Sequence, residues 1–171
     1  KLAGIEVPAF VQGQPRLNTA LTQDYVFAGR DRMDAVPDYV RAVRDQRFKY
    51  IRNYQSDLPY FRPLVFRDMF PVMQALWQGR SAVTLTEEQR FYFAAPRPLE
   101  ELYDTAKDPQ ELVNLANQPR HAQTLQRLRD AMDAWIIRVG DRSSEDEGRM
   151  IEAMWPGGQQ PVTQVPVIDM R

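Results

Sequence analysis

Glu101-Leu102-Tyr103-Asp104-Thr105-Ala106-Lys107-Asp108-Pro109-Gln110-Glu111-Leu112-Val113-Asn114-Leu115-Ala116 is the stretch on which the fold turns. Leu99 to Tyr103 has the short apolar alternation of a strand. Asp108-Pro109-Gln110-Glu111 then combines a capping acid, a proline at the first helical position and a glutamate three residues after the cap. That spacing predicts a helical turn from Pro109. A longer helix is expected from Pro119 to Val139, with Leu125, Leu128, Met132, Trp135, Ile136 and Val139 on one stripe and Gly140 as its stop. A helix with one apolar stripe should lie across the sheet and close the core.

Upstream, Tyr39 to Tyr54 reads as a β-hairpin turning near Asp45 to Arg47, with apolar residues on both faces and therefore more than solvent covering it. Tyr25-Val26-Phe27-Ala28 is a further strand. After Gly29, the run Arg30-Asp31-Arg32-Met33-Asp34 carries four charges and is expected as an exposed loop. Between hairpin and last strand, Phe66, Met69, Phe70, Met73, Leu76 and Trp77 have helical spacing. Asp68 is the expected cap, and Pro71 falls in the first turn. Thr86-Glu87-Glu88-Gln89 fits a capping box for a second short helix. The whole is α+β: a small antiparallel sheet of about four strands against a long helix, with a helical insertion.

The 171 residues suit one globular domain, 26% of them are charged and the formal net charge is −1. Nothing in that balance favours a polyanion, and no nucleic-acid partner is expected. There is no cysteine, which excludes disulfides, thiolate zinc sites and a cysteine nucleophile on this chain. No apolar run approaches the roughly 20 residues that span a bilayer, so no membrane partner is expected. The chain begins with Lys1, so a processed product or a piece of a longer polypeptide is expected.

The chemistry-bearing residues are few. His121 is the single histidine, has no second ligand nearby, and reads as a surface or cap-region residue. Paired carboxylates at Glu87-Glu88 and Glu100-Glu101 point in different directions and read as solvated. No Ser-His-Asp set or phosphate-binding glycine loop is present. In the run Arg30, Asp31, Arg32 and Asp34, two guanidiniums separated by an acid could hold a sulfate or uronate by bidentate hydrogen bonds. The favoured reading is that they pair with the acids as a salt-bridge cluster that fixes the loop, each exposed pair contributing about 0–1 kcal/mol. Arg41, Arg44, Arg47, Lys49 and Arg52 form a second basic set along the hairpin, and Trp155 stands on a Pro/Gly-rich tail as a candidate anchor.

Three ordered stretches carry a resemblance: Leu-Ala-Gly-Ile-Glu-Val-Pro at 2–8, Tyr39-Val-Arg-Ala-Val-Arg-Asp-Gln-Arg-Phe-Lys-Tyr-Ile-Arg-Asn53, and Glu-Leu-Tyr-Asp with its Asn-Leu-Ala ending. Together they resemble the carboxyl-terminal domain of sulfatases of the alkaline phosphatase superfamily, with the heparan N-sulfatase (sulfamidase)-like branch the nearest pattern. The resemblance spans roughly residues 1–142 and includes the long helix. It implies a lead-in segment at 1–17 from a catalytic domain and an α+β domain at 18–142; beyond that domain the composition of 143–171 reads as a linker, one marginal helix and an extended arm. It also implies hydrolysis of a sulfate ester or sulfamate, with a formylglycine made from C-x-P-x-R or S-x-P-x-R and a calcium ion, both in the catalytic domain. This sequence has no cysteine and no S-x-P-x-R, so no catalytic or metal residue carries over and no cofactor is expected on this chain, which alone is expected to be inactive. Arg30, Asp31, Arg32 and Asp34 are the implied substrate-binding candidates. The implied partners are the catalytic domain and a sulfated carbohydrate, and export to the periplasm or medium is the implied location. Two alternatives stand beside this reading: a free-standing module that binds sulfated glycans, and an oligomerisation module acting through the arm.

Overall fold

The computed structural model describes residues 24–33, 36–155 and 157. Four antiparallel strands, β1 (Val26–Met33), β2 (Val36–Arg44), β3 (Phe48–Asn53) and β4 (Glu100–Asp104), lie side by side in chain order. The expected hairpin joins β2 to β3, with Arg44 opposite Lys49. Asp45 shapes its turn by accepting the N–H groups of Arg47 (2.7 Å) and Phe48 (2.6 Å), the local side-chain bonding that makes aspartate a turn residue.

Val43, Tyr50 and Leu102 stand in register across three strands. With Leu115 they form a fully or nearly fully buried core against Leu125, Leu128 and Met132 of the long helix α4. Phe27 adds a stacked contact to Trp135, with ring centroids 5.0 Å apart. In chain order the helices are α1 (Val65–Asp68), α2 (Pro71–Ser81), α3 (Glu87–Phe91), a 3-10 turn (Pro119–His121), α4 (Ala122–Val139) and α5 (Glu147–Met154). Helix α4 stops as its sequence predicts. Gly140 takes φ +62°, its N–H donates to the Ile137 carbonyl, and Asp141 N–H donates to Ile136, a left-handed closure that favours glycine.

Three local expectations are corrected. The charged run Arg30 to Met33 is the second half of β1 and not a loop, because it pairs with β2 through a register shift between Arg30 and Arg32; the expected loop's Asp34 lies outside the described residues. The stripe from Phe66 to Trp77 is two helices. Phe70 has an extended backbone and precedes Pro71, and the residue before a proline disfavours the helical region. Asp68 therefore does not cap α2; it closes the turn of α1 by accepting the N–H of Leu64 (2.9 Å). No helix begins at Pro109, since Glu111 has φ +57° and Asp108 accepts from Val113 N–H instead (2.8 Å). The Thr86–Gln89 capping box forms as expected.

The Asn-Leu ending of the motif has a structural task. Asn114 accepts from Leu102 N–H (3.0 Å) and donates to the Glu100 carbonyl (3.0 Å), while Leu115 N–H donates to the Leu102 carbonyl (2.8 Å). Those bonds cover the outer edge of β4, which would otherwise offer an unpaired ladder to another chain. The lead-in segment 1–17 and residues 158–171 of the arm lie outside the described residues.

Candidate functional site

Arg41 sits on β2 two residues before Val43, on the face that meets α4, and an arginine there needs carboxylates. It finds two. Its guanidinium makes a two-point contact with Asp141, Nε at 2.6 Å and Nη2 at 3.0 Å, and Nη1 reaches Asp31 at 2.8 Å. Ser143 Oγ also accepts from it. Gly29 stands opposite Arg41, and a Cβ there would lie 3.0 Å from Nη1, so a larger residue would press on the guanidinium. Burial alone would lower the Arg41 pKa, but the bonds to Asp141 and Asp31 raise it. Burial likewise pulls Asp141 upward and is outweighed by Ser143 and Arg41, which hold its carboxyl below the usual range. The result is a clip that fixes the chain after α4 to the sheet.

On the opposite face, Asp38 is buried and accepts from Arg97 at 2.5 and 3.2 Å and from Arg30. Burial pushes Asp38 up, yet Arg97 and Arg30 hold it below its ordinary value. The Arg97 guanidinium lies 5.2 Å from the centre of the Tyr60 ring. Tyr60 (2.6 Å), Asn53 (2.5 Å) and Tyr103 (2.5 Å) all donate to the buried carboxylate of Glu101. Burial and those bonds push both phenols well above their usual range. The β3–β4 connection is thereby fastened to the second sheet face by polar groups, where α4 itself is fastened to the first face by apolar ones.

The two networks flank a cleft of about 630 Å³ between the β1–β2 end of the sheet and the segment after α4. Asp31, Arg32, Asp38, Tyr39, Ser143 and Glu145 are among its lining residues. The structure thus brings Asp31 and Arg32 of the expected set to one cavity. Arg30 is instead engaged with Asp38, and Asp34 lies outside the described residues. Asp31 is at the β-bulge, which re-aims it toward Arg41 and leaves its side chain 57% exposed. Tyr39 stacks on Tyr54 at 3.9 Å, and its phenol is pushed up to about 12 by burial, by Tyr54 and by Asp141. Such a cavity offers mixed charges and hydroxyls, groups that suit a polar ligand, while the Tyr39 ring is packed against Tyr54 and lies 4.8 Å from the Arg41 guanidinium.

Sequence reasoning did not single out Asp38, Arg97, Tyr39 or Asp141. Their partners lie 59 and 100 residues apart along the chain. The one available signal was Arg41 alternating with Val43, which places a guanidinium on an apolar face. His121 is half-buried with its ring 5.9 Å from that of Phe48, in the cap region where it was expected.

The buried carboxylates do not fit a calcium ion. Asp38 is taken by Arg30 and Arg97, Asp104 by Arg47, Asp141 by Arg41 and Glu101 by three neutral donors. Among the described residues, no group of three histidine, aspartate or glutamate side chains could hold a metal, and none of these oxygens is offered to a hard cation.

No family model matches the chain. It is 39% identical over 172 residues to an ulvan-active sulfatase of Formosa agariphila, a match covering 99% of this chain and 29% of that protein. This chain is related to the sulfatases. Human N-sulphoglucosamine sulphohydrolase is a further relative, 31% identical over 122 residues, with 68% of this chain and 23% of that protein covered. The chain therefore spans under a third of the sulfatases it matches. Two solved structures share its fold: a 2-O GAG sulfatase (TM-score 0.51, 24% identity, 82% of this chain, 23% of that one) and a protein solved with its substrate D-glucosamine-2-N,6-O-disulfate (TM-score 0.52, 17% identity, 84% and 24%). The Glu101–Ala116 stretch that resembled sulfatases is thus a strand, a turn and an edge cover. Its Glu101, expected to be solvated, is instead buried inside the second-face network because Asn53, Tyr60 and Tyr103 satisfy it.

Proposed function

We propose that this chain is the carboxyl-terminal, non-catalytic part of a sulfatase that hydrolyses a sulfate ester or sulfamate, and that it shapes substrate access through the cleft at Asp31 and Arg32. The observation that carries this reading is the 39% identity with the ulvan-active sulfatase over 99% of the chain, set beside the 29% of that protein it spans. The nucleophile and calcium site then belong to the catalytic domain, since this sequence has neither cysteine nor S-x-P-x-R and its buried acids are already paired. Arg32 is the group assigned to a sulfated sugar, by bidentate hydrogen bonding. The Tyr39 hydroxyl, Asp31 and Ser143 supply polar groups for sugar hydroxyls. Arg30 supports the cleft wall through Asp38 rather than meeting the ligand.

The test is sulfate release from a sulfated ulvan oligosaccharide and from 4-methylumbelliferyl sulfate. It compares the chain alone with a chimera in which this chain replaces the matching segment of the ulvan-active sulfatase. The chain alone is expected to be inert and the chimera active. Arg32→Ala in the chimera should raise KM for the oligosaccharide by about tenfold with little change for the small aryl ester, the pattern of lost uniform binding. Turnover by the chain alone refutes the reading.

A further inference from the structure

The exposed apolar side chains of this protein are not evenly spread. Over most of the chain they stand singly or in pairs, as Leu99 and Ile137, Leu112 with Val113, and Ile151 with Met154 do. At the α1–α2 corner, by contrast, Val65 (85% exposed), Phe66 (60%), Met69 (61%), Phe70 (49%) and Val72 (66%) fall within eight residues. In the 11-residue α2, Met73 alone is buried. Clustered exposed apolar side chains of this kind are a feature of interaction surfaces.

The ledge is held in shape before anything covers it. Asp68 closes α1 onto Leu64, Arg67 donates to the Arg62 carbonyl and lies 4.8 Å from the Phe61 ring centre, and Gln74 donates to the Met69 carbonyl at 3.2 Å. Phe66 and Phe70 meet edge to face at 5.5 Å, presenting two rings as one unit. Rigid aromatic anchors lose little entropy on binding and dominate interface energies.

We infer that the α1–α2 ledge is the seat of the sulfatase catalytic domain, meaning polypeptide corresponding to the part of the ulvan-active sulfatase that this chain does not match. This rests on the function proposed above and adds the surface to it. The relatives supply the occupant: this chain aligns almost end to end with 29% of the ulvan-active sulfatase, so most of that protein's mass lies outside the match and has to adjoin it. A rigid apolar ledge on the helical insertion offers such a neighbour apolar area to remove from water.

Hydroxyl-radical footprinting of the isolated chain and of the chimera tests this. Phe66, Met69 and Phe70 should be labelled at least about fivefold more slowly in the chimera, methionine and aromatics being the readily oxidised reporters. Met154, 67% exposed on α5, serves as the internal reference. A Phe66→Asp, Phe70→Asp variant should lower the chimera's melting temperature but not the isolated chain's, because position 70 is the N-cap of α2, where aspartate is favoured. Equal labelling of the ledge in an active chimera overturns the inference and leaves the proposed function standing. An inactive chimera overturns both. Labelling that falls in the isolated chain as its concentration rises assigns the ledge to a second copy and overturns the inference.

Discussion

Replacing Asp38 by alanine tests the second-face network directly. The Arg97 side chain is 0% exposed, and both of its hydrogen-bonded contacts go to Asp38. Removing the carboxylate strands a guanidinium in the interior and frees the Tyr39 N–H, which donates to Asp38 at 2.8 Å. Breaking a buried pair from one side costs about 3–5 kcal/mol. At about 2–4 °C per kcal/mol for a domain of this size, the melting temperature should fall by roughly 6–20 °C. Arg30 is a different case: its side chain is 47% exposed, so Arg30→Ala should cost no more than about 1 kcal/mol. Thermal and urea unfolding followed by circular dichroism measure both. An Asp38→Leu, Arg97→Met double variant should recover most of the loss, since an apolar pair of similar volume is often as stable as a buried ion pair. If Asp38→Ala costs under about 1 kcal/mol, or Arg30→Ala costs as much as it does, the buried triad is not the fastening described here.

Further outcomes follow from other elements. Leu128→Ala removes a fully buried side chain from the centre of the α4–sheet core and should cost about 2–5 kcal/mol by urea unfolding, with a negligible change placing α4 elsewhere. Gly140→Ala forces a side chain into φ +62° and should destabilise by about 1–2 kcal/mol although no atom lies near enough to clash, so an unchanged melting temperature would deny the left-handed stop. Asp38 and Asp141 are held low by Arg97 and by Ser143 with Arg41, despite burial, and Arg129 holds Glu100 low. Their ordinary values are 3.8 and 4.5. With folded values below unfolded ones, their stability is complete above those ordinary values and is lost as pH falls through the folded ones, because the unfolded chain takes up protons first. Urea midpoints should therefore hold from about pH 7 to 5 and decline below about 4; a rise on acidification would reverse the sign of the pairing.

The sequence made one face of this sheet readable and left the other hidden. Val43, Tyr50 and Leu102 alternate along their strands, and Leu125, Leu128 and Met132 repeat at helical spacing, so periodicity alone predicts that they meet. The hairpin turn, the Thr86 capping box and the Gly140 stop depend on neighbours within a few residues and were equally legible. Asp38, Arg97 and Asp141 carry no such local pattern. Each is a charged residue whose partner is fixed by strand pairing and by the path of the β3–β4 connection, which local composition does not encode. The same reason explains the misread run at Arg30 to Met33: four charged or polar-flanked positions resemble a loop until β2 supplies Val40, Pro37 and Val36 as partners. Pro71 and Glu111 show the opposite failure, where a favourable helix pattern yields to a backbone angle it cannot accommodate.

The two sheet faces are built from different chemistry, and the difference bears on where the protein can vary. On the α4 face, apolar burial is tolerant of shape-conserving exchange. On the second face, Arg97, Tyr60, Asn53, Tyr103 and Glu101 form a chain in which each buried group depends on the next, and removing one strands its neighbour. That chain ends at Asp38, whose other partner, Arg30, stands one residue before the bulge that aims Asp31 at Arg41. The wall of the cleft is therefore positioned from both sides by buried arginines, Arg97 through Asp38 and Arg41 through Asp141. Polar interiors of this kind add little net stability but penalise every misplaced register, because a one-residue slip would leave several charges unpaired at once. Register control of this kind fixes the β1–β2 end of the sheet against the segment after α4, which shape-tolerant apolar packing alone would not do.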